Sequence, residues 1–240
     1  RPSFDSSASG DVARPLMAAA PGRARSNGLS LPVPVASSRV RAAAVPPRAG
    51  LRMAVPDGHQ QRHVVGALKD AGIQFGGYDE SGFVRRPESG VEGLDVKVVR
   101  PHDMPQLIAL GEIDVAITGR DCLLEHLYSF PSSPVEEVAD LQRGQYNLCA
   151  VVTQELDAAT MSEAMVHWRS QGRTVLRVAS EFPATADHYA RSRHLWRYQV
   201  IPIAGASEGF VPEDADILIE GTETGRTLVE NNLKSIDLLY

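Results

Sequence analysis

The residues with the clearest chemical potential form one short segment near the C-terminus. An apolar stretch at 216–220 leads into Gly221-Thr-Glu-Thr-Gly-Arg-Thr227, and a helical pattern follows at 228–232. A Gly/Thr loop between a strand and a helix can bind phosphate, because the first N–H groups of a helix lack intrahelical partners and its dipole favours an anion. Gly225 lets the backbone approach a ligand, and the hydroxyls of Thr222, Thr224 and Thr227 can donate further bonds. The same pattern is also typical of an ordinary turn in which threonine caps a helix.

Two carboxylates, Asp216 and Glu220, lead into this loop. Carboxylates beside a bound phosphosugar suit ribose hydroxyls or a bridging Mg2+. We therefore expect Asp216 and Glu220 to face the ribose or the metal.

Charge and composition limit the classes of function. The chain has 240 residues, of which 43% are hydrophobic and 22% charged, as is typical of a globular protein. The sequence contains no run of about 18 apolar residues, so no membrane-spanning helix is predicted. Residues 51–240 hold 17 basic and 28 acidic side chains, and this net charge of −11 argues against nucleic-acid binding. The two cysteines, Cys122 and Cys149, cannot form a disulfide framework and are expected to be free thiols.

Residues 1–50 differ from the rest in composition. They are rich in Ala, Ser, Pro and Arg and carry seven arginines against two aspartates, which predicts a disordered leader. One interpretation is a transit peptide within residues 17–43, which would place the protein in the plastid stroma. The other is translated upstream sequence or an artificial leader, which would leave the expected location cytoplasmic.

From residue 51 onward, apolar strand patterns alternate with helical ones. Strands are predicted at 51–55, 94–99, 113–118, 147–153, 175–179, 198–203 and 216–220, and helices at 64–71, 103–111, 121–126, 158–170, 184–193 and 228–232. This alternation predicts an α/β fold with mainly parallel sheets. The stretch Ser129–Gly144 is the expected hinge between two lobes, with a ligand cleft between them at the carboxyl ends of the strands.

Five segments in order resemble the ATP phosphoribosyltransferase family. The most specific is Asp214–Lys234, which looks like that family's signature for phosphoribosyl pyrophosphate (PRPP). The others are Leu51-Arg-Met-Ala-Val-Pro56, Val99-Arg-Pro-His-Asp-Met-Pro105, Ile117-Thr-Gly-Arg-Asp121 and Val178-Ala-Ser-Glu-Phe-Pro183. The resemblance covers about Leu51 to Tyr240.

The resemblance implies a fold like the type 2 periplasmic binding proteins, with lobe I at 51–128 plus 233–240 and lobe II at 129–232. It implies transfer of the 5-phosphoribosyl group of PRPP to N1 of ATP with Mg2+, releasing pyrophosphate, as the first step of histidine biosynthesis. The residues expected to cradle the 5-phosphate are Glu223, Thr224, Gly225, Arg226 and Thr227. Those expected on the ATP side are Arg100, Asp103, Thr118, Gly119, Arg120, Ser180 and Glu181. A homo-oligomer and a partner subunit resembling histidyl-tRNA synthetase are also expected, because the chain resembles the short form of that family, which usually needs such a partner.

The first loop departs from the family pattern. The family usually has Pro-Lys-Gly-Arg, whereas this chain has Pro56-Asp57-Gly58-His59. Exchanging Lys for Asp reverses a charge beside a polyanionic substrate. Either Arg62 or another cation substitutes, or the chain is a diverged member with another acceptor, or it is a non-catalytic binding or regulatory module. His59 and His63 share a helix face at i, i+4, although a solvated helix start explains that spacing better than a metal site.

Overall fold

The computed structural model describes residues 50–82, 84–223 and 225–240. The predicted leader therefore lies outside the described residues, except for Gly50, and so does Thr224 of the predicted phosphate loop.

Strands and helices alternate along the described part of the chain, as the sequence predicts. The strands are β1 (Leu51–Pro56), β2 (Phe75–Gly76), β3 (Glu88–Ser89), β4 (Leu94–Val99), β5 (Val115–Ala116), β6 (Asn147–Thr153), β7 (Leu176–Ser180), β8 (Tyr198–Pro202), β9 (Ile217–Thr222) and β10 (Leu233–Leu238). The α-helices are α1 (Gln61–Asp70), α2 (Met104–Ala109), α3 (Arg120–Ser129), α4 (Met161–Ser170), α5 (Pro183–Ser192) and α6 (Arg226–Glu230). Single 3-10 turns lie at Gly58–Gln60, Pro101–Asp103 and Ser207–Phe210. No described helix has both the length and the apolar character needed to span a bilayer.

The first half of the fold is a small parallel sheet. Its strand order is β4-β1-β5, and both neighbours run parallel to β1. The predicted strand at 113–118 contributes only Val115 and Ala116 to the paired register, and the N–H groups of Asp114 and Ile117 also donate to the Arg52 and Ala54 carbonyls, each at 3.0 Å. β2 and β3 form a separate antiparallel pair.

The second half is a five-stranded sheet of mixed direction. Its order is β10-β6-β9-β7-β8, in which β7 is parallel to β8 and β9, while β6 is antiparallel to β9 and β10. Residues 233–240 are expected in lobe I, but in the structure Leu233–Leu238 pairs with β6 at the edge of the five-stranded sheet.

Helix ends follow local capping chemistry. The pattern predicted a helix from residue 158, but α4 begins at Met161 because Thr160 caps it. The Thr160 hydroxyl accepts from the Glu163 N–H at 3.3 Å, and the Glu163 carboxylate accepts from the Thr160 N–H at 3.1 Å. This reciprocal capping box satisfies two N–H groups that a helix start leaves without partners.

A carboxylate of the first half caps a helix of the second. Glu125 on α3 accepts hydrogen bonds from the N–H groups of Ala184 and Thr185 in the first turn of α5, each at 2.8 Å. Its negative charge also complements the positive end of the α5 dipole. Tyr128 of α3 stacks on His188 of α5, with ring centroids 4.1 Å apart. The contact between α3 and α5 therefore holds the two sheets in a defined relation.

Candidate active site

The predicted phosphate loop is built around a glycine in the left-handed region. β9 ends at Thr222, and Gly225 has φ +73° at the N-cap of α6. An L-residue at that φ is strained, whereas glycine adopts it freely. The Gly225 N–H donates to the Thr222 hydroxyl oxygen at 2.8 Å. This N–H is therefore engaged within the loop, and the next N–H groups, at the start of α6, are the ones a phosphate would meet.

The charged residues of the loop have specific partners. The guanidinium of Arg62 on α1 lies 3.5 Å from the carboxylate of Glu223. Arg226 donates to Glu230 one turn later at 2.7 Å, and Thr227 is exposed in the first turn of α6. A cation from the first half of the fold thus reaches the predicted PRPP loop of the second.

Glu220 lies at the carboxyl end of β9, next to the loop. Its carboxylate accepts from the Ser207 hydroxyl and from the Gly221 N–H. Burial raises the pKa of Glu220, opposed by these two hydrogen bonds and reinforced by the charges of Glu181 and Glu208. The predicted site residue Glu181 therefore faces Glu220, and its carboxylate accepts from the Gly205 N–H. These carboxylates form an acidic wall beside the loop.

Asp216 does not join this wall. It precedes β9 at the opposite end, four residues or about 13 Å from Glu220 along an extended strand. Its side chain is 2% exposed and lies 3.1 Å from Arg177 and 3.3 Å from Arg173. The expectation that Asp216 faces ribose or metal is therefore corrected. This carboxylate is neutralised by two arginines at the amino-terminal edge of the sheet.

The predicted Asp216/Glu220 pair consequently does not fit Mg2+. The two carboxylates cannot share an ion, and the described residues include no group of three or more His, Cys, Asp or Glu that could hold one. Glu220 is the one member of the pair that the fold places beside the loop.

Ser180 is also engaged in structure. Its side chain is completely buried, and its hydroxyl donates to the Ile219 carbonyl at 3.0 Å and accepts from the Phe182 N–H at 2.9 Å. These bonds tie the end of β7 to β9 and to the start of α5. Ser180 therefore has a structural role, because both hydrogen bonds of its hydroxyl are made to the backbone.

The two motifs predicted on the ATP side adjoin each other. The Thr118 hydroxyl donates to the Pro101 carbonyl at 3.0 Å, which joins the turn 118–120 to the segment that contains Arg100 and Asp103. Arg100 and Asp103 are both exposed around this 3-10 turn. The fold thus brings these predicted residues together at the ends of β4 and β5.

Gly119 lies close to two side chains. A Cβ on Gly119 would lie 2.6 Å from the Gln60 amide nitrogen and would overlap the Asp121 carboxylate. The turn therefore packs directly against the start of α1. Arg120, which follows, pairs with Glu137 at 3.2 Å and is largely exposed.

The atypical first loop carries its own counter-ion. Asp57, directly after β1, accepts from a guanidinium nitrogen of Arg85 at 2.6 Å. The Tyr78 hydroxyl donates to the Pro56 carbonyl at 2.7 Å, and burial together with the Asp57 charge raises the pKa of that phenol. The aspartate that replaces the family's lysine is therefore neutralised by an arginine from another segment, and no net negative charge is added here.

Sequence reasoning missed Tyr146. Its hydroxyl donates to the buried carboxylate of Asp121, and its ring packs against Gly221 at the start of the phosphate loop. A single tyrosine in an irregular segment has no spacing signal, so only the tertiary structure identifies it.

Loops of the two sheets meet at the carboxyl ends of their strands. Arg62 contacts Glu223, His102 stacks on Phe182 with ring centroids 5.1 Å apart, and Tyr146 spans from Asp121 to Gly221. The described chain is thus a two-sheet α/β protein whose ligand-binding loops face one another, the architecture of the type 2 periplasmic-binding-protein-like fold.

Comparison with known proteins specifies the family. The family model described as ATP phosphoribosyltransferase matches residues 100–240. ATP phosphoribosyltransferase of Rubrobacter xylanophilus is 32% identical over 189 residues, covering 78% of this chain and 81% of that protein. The enzyme of Thermotoga neapolitana is 30% identical over 197 residues, covering 79% of this chain and 80% of that protein.

A solved structure shares the fold. The ATP phosphoribosyl transferase (HisG:HisZ) complex from Thermotoga maritima matches with a TM-score of 0.58 and 24% identity, covering 79% of this chain and 83% of that one. The chain belongs to the ATP phosphoribosyltransferase family. It is accordingly a glycosyltransferase of the pentosyltransferase class, whose reaction is the first step of histidine biosynthesis. Enzymes of this family use Mg2+.

Proposed function

We propose that this chain transfers the 5-phosphoribosyl group of PRPP to N1 of ATP at the junction of its two sheets. The observation that carries this placement is the contact between Arg62 on α1 and Glu223 in the loop after β9. It brings α1, which directly follows the loop where the family usually has two cations, against the segment that resembles the family's PRPP signature. The two substrates would therefore bind next to each other.

The loop after β9 would hold the 5-phosphate of PRPP. Gly225 at φ +73° lets the chain turn sharply into α6, whose first N–H groups point at the turn. Arg226 and Thr227 would add a cation and a hydroxyl to that cradle. Glu220, held by Ser207 and the Gly221 N–H, would accept hydrogen bonds from the ribose hydroxyls.

The ATP side would be formed by the loops of the first sheet. Arg100, Asp103 and the Thr118–Arg120 turn lie together at the ends of β4 and β5. Arg62 and Arg85 are the cations that flank the first loop, where the family usually has Lys and Arg. Glu181 faces Glu220 at the border of the two subsites.

The reaction depends on the positioning of the two substrates and needs no covalent intermediate with the protein. N1 of the adenine attacks the anomeric carbon of PRPP, and the bond from that carbon to the pyrophosphate oxygen breaks as the leaving group takes its electron pair. The site contributes by aligning the two reactants, excluding water and stabilising the leaving anion. The Mg2+ that enzymes of this family use would reduce the negative charge of the departing pyrophosphate.

The experiment that tests this function is pyrophosphate release by the full chain, given PRPP, Mg2+ and ATP. ATP-dependent release would support the assignment. Binding of PRPP without release under all conditions would favour a non-catalytic module, and no binding of PRPP would contradict the proposal.

A specific observation favours one alternative function, in which a molecule other than ATP accepts the phosphoribosyl group. Asp57 occupies the loop position of a family lysine and pairs with Arg85, so the phosphate side of the nucleotide meets a different charge pattern. A related base or nucleotide with fewer phosphates would suit that pattern. Parallel assays with ATP, ADP and AMP as acceptors distinguish the two.

We further propose that the chain assembles with other subunits. The Thermotoga maritima structure is a HisG:HisZ complex, and this supports a regulatory partner resembling histidyl-tRNA synthetase for this chain too. We also propose a homo-oligomer, and a cytoplasmic location with the plastid stroma as the alternative. Assays with and without such a partner subunit test the first point.

A further inference from the structure

Tyr146 contacts both of the segments assigned above to substrates. Its hydroxyl donates to Oδ2 of Asp121, which ends the Thr118–Asp121 turn of the first sheet. Its ring lies against Gly221, since a Cβ on that glycine would be 2.6 Å from Cε2 of the tyrosine. One side chain therefore spans from the nucleotide-side turn to the start of the PRPP loop.

The contact to Asp121 is buried and hard to replace. Asp121 is 6% exposed, and its other carboxylate oxygen, Oδ1, has no hydrogen-bond partner among the described residues. Burial and the Asp121 charge raise the pKa of the Tyr146 phenol, so it stays protonated and donates at neutral pH. A carboxylate that lost this donor would be left buried without a partner, which is strongly unfavourable.

The contact between the Tyr146 ring and Gly221 limits how either residue can move. Gly221 pairs with Leu148 near the end of the β6–β9 ladder, so its backbone joins the sheet to the loop that follows. Tyr146 immediately precedes β6, which anchors its own backbone at the same edge. A shift of the loop after β9 must therefore move the tyrosine ring or be resisted by it.

We propose that Tyr146 is a positioning residue that couples the PRPP site to the nucleotide site, an inference that rests on the function proposed above. Substrate bound at the loop fixes the Gly221 backbone and the ring, and the ring holds the Thr118–Asp121 turn through Asp121. Occupancy of either site then raises the affinity of the other by the same factor, because coupling between two binding sites is reciprocal.

The test is a comparison of PRPP affinities in the full chain by calorimetry. PRPP is titrated alone and in the presence of saturating 1-deaza-ATP, which lacks the acceptor nitrogen and cannot react. In the wild type we expect PRPP to bind about fivefold more tightly or better when the analogue is present. In Tyr146→Phe we expect this gain to fall to about twofold or less, while PRPP alone binds nearly as well as to the wild type.

Tyr189→Phe is the matched control. Tyr189 is 3% exposed and donates its hydroxyl to Asp237 at 2.9 Å, so the substitution removes a tyrosine–aspartate bond away from both substrate segments, while Arg193 still donates to Asp237. It should leave the gain intact. Gly221→Ala should lose the gain as Tyr146→Phe does, because its methyl group displaces the ring from Asp121.

The outcomes separate this inference from the function on which it rests. No PRPP binding by the wild type overturns both. PRPP binding with no gain from the analogue, a gain that survives in Tyr146→Phe, or an equal loss in Tyr189→Phe each overturns the coupling role alone.

Discussion

Arg177 donates three hydrogen bonds to the carboxylate of Asp216, from its backbone N–H, Nε and Nη2, at 2.8, 3.3 and 3.1 Å. Arg52 donates from the same three atoms to Asp114, at 2.8, 2.9 and 2.6 Å. Each aspartate immediately precedes a strand that runs parallel to the strand carrying its arginine. Both sheets therefore fix two neighbouring strands at the amino-terminal edge with the same ion pair, at the opposite end from the predicted ligand-binding loops.

This relationship predicts that Asp216 contributes to stability and not to catalysis. Asp216→Ala should lower the free energy of unfolding by about 2–3 kcal/mol, because it leaves a partly buried arginine without its partner. The kcat of the folded fraction should stay within about twofold of the wild type. Urea denaturation measures the first quantity and pyrophosphate release the second.

Asp114→Ala is the matched control for this variant. The Asp114 side chain is 35% exposed against 2% for Asp216, so its loss of stability should be smaller. A kcat that collapsed in Asp216→Ala without any change in stability would restore the place beside the ribose or the metal that the sequence predicted for Asp216.

The difference between Asp216 and Glu220 shows why the sequence could not assign the site completely. Both acids flank one apolar run, and the pattern does not say which of them meets a ligand. Position along the strand decides it, since the carboxyl end meets the loop and the amino end meets Arg177. The partner arginine lies 39 residues away in sequence, beyond the range of any local motif.

Local patterns predicted the bounds of two strands. β4 and β6 begin and end at the predicted residues: β6 is a continuous buried apolar run, whereas β4 alternates buried valines with the exposed Asp95 and Lys97. The direction of the strands could not be predicted from the sequence. The periodicity of apolar residues indicates neither the antiparallel pairing of β6 nor the location of β10 beside it, because both depend on the path of the chain between the strands.

The second prediction concerns the charge of the first loop. Asp57→Asn should free Arg85 to meet substrate phosphate and lower the KM for ATP by about threefold to tenfold, since it removes a negative charge beside a polyanion. Stability should change by less than about 1 kcal/mol, because the Arg85 side chain is 61% exposed. Initial rates at varied ATP, together with urea denaturation, measure both effects.

Asp95→Asn controls for this change in net charge. Asp95 pairs with Arg86 at 4.0 Å, and both side chains are about 70% exposed, so its removal should leave the KM for ATP unchanged. An unchanged KM in Asp57→Asn would mean that Arg85 does not serve the nucleotide. If Asp57→Asn lowered the KM for ADP or AMP but left the KM for ATP unchanged, the alternative acceptor would be favoured.

The third prediction isolates the glycine of the phosphate loop. Gly225→Ala should lower the free energy of unfolding by about 1–2 kcal/mol, because alanine is strained at φ +73° while no atom lies within 4 Å of the new methyl group. It should also raise the KM for PRPP, since relief of that strain reshapes the turn into α6.

Gly172→Ala separates strain from function. Gly172 has φ +75° and the same open surroundings, but it follows α4, away from the loop. The two variants should lose similar stability, and only Gly225→Ala should bind PRPP more weakly. Equal PRPP constants in both would argue that the loop does not hold the phosphate.

The last prediction follows from the buried carboxyl of Glu220. Its pKa is raised above the ordinary value near 4.5, chiefly by burial, so the folded protein holds a proton that the unfolded chain has already released. Wherever the folded state binds more protons, stability falls as pH rises. The contribution of Glu220 is therefore fully present below its unfolded pKa and is lost as pH rises through its raised, folded value. Glu220→Gln, which cannot ionise, should flatten this part of the curve and increase stability at neutral pH.

The same substitution should weaken function, because glutamine accepts less strongly from ribose hydroxyls and leaves no charge beside the loop. Urea denaturation at a series of pH values and the KM for PRPP give the two readouts. Glu208→Gln is the control, since Glu208 lies in the same acidic wall but contacts Ser207 only weakly, at 3.5 Å. One outcome is that Glu220→Gln, but not Glu208→Gln, becomes more stable and has a higher KM for PRPP. It would mean that burial of Glu220 lowers the stability of the fold but serves substrate binding. A gain in stability with unchanged PRPP binding would make Glu220 a structural acid and remove it from the site.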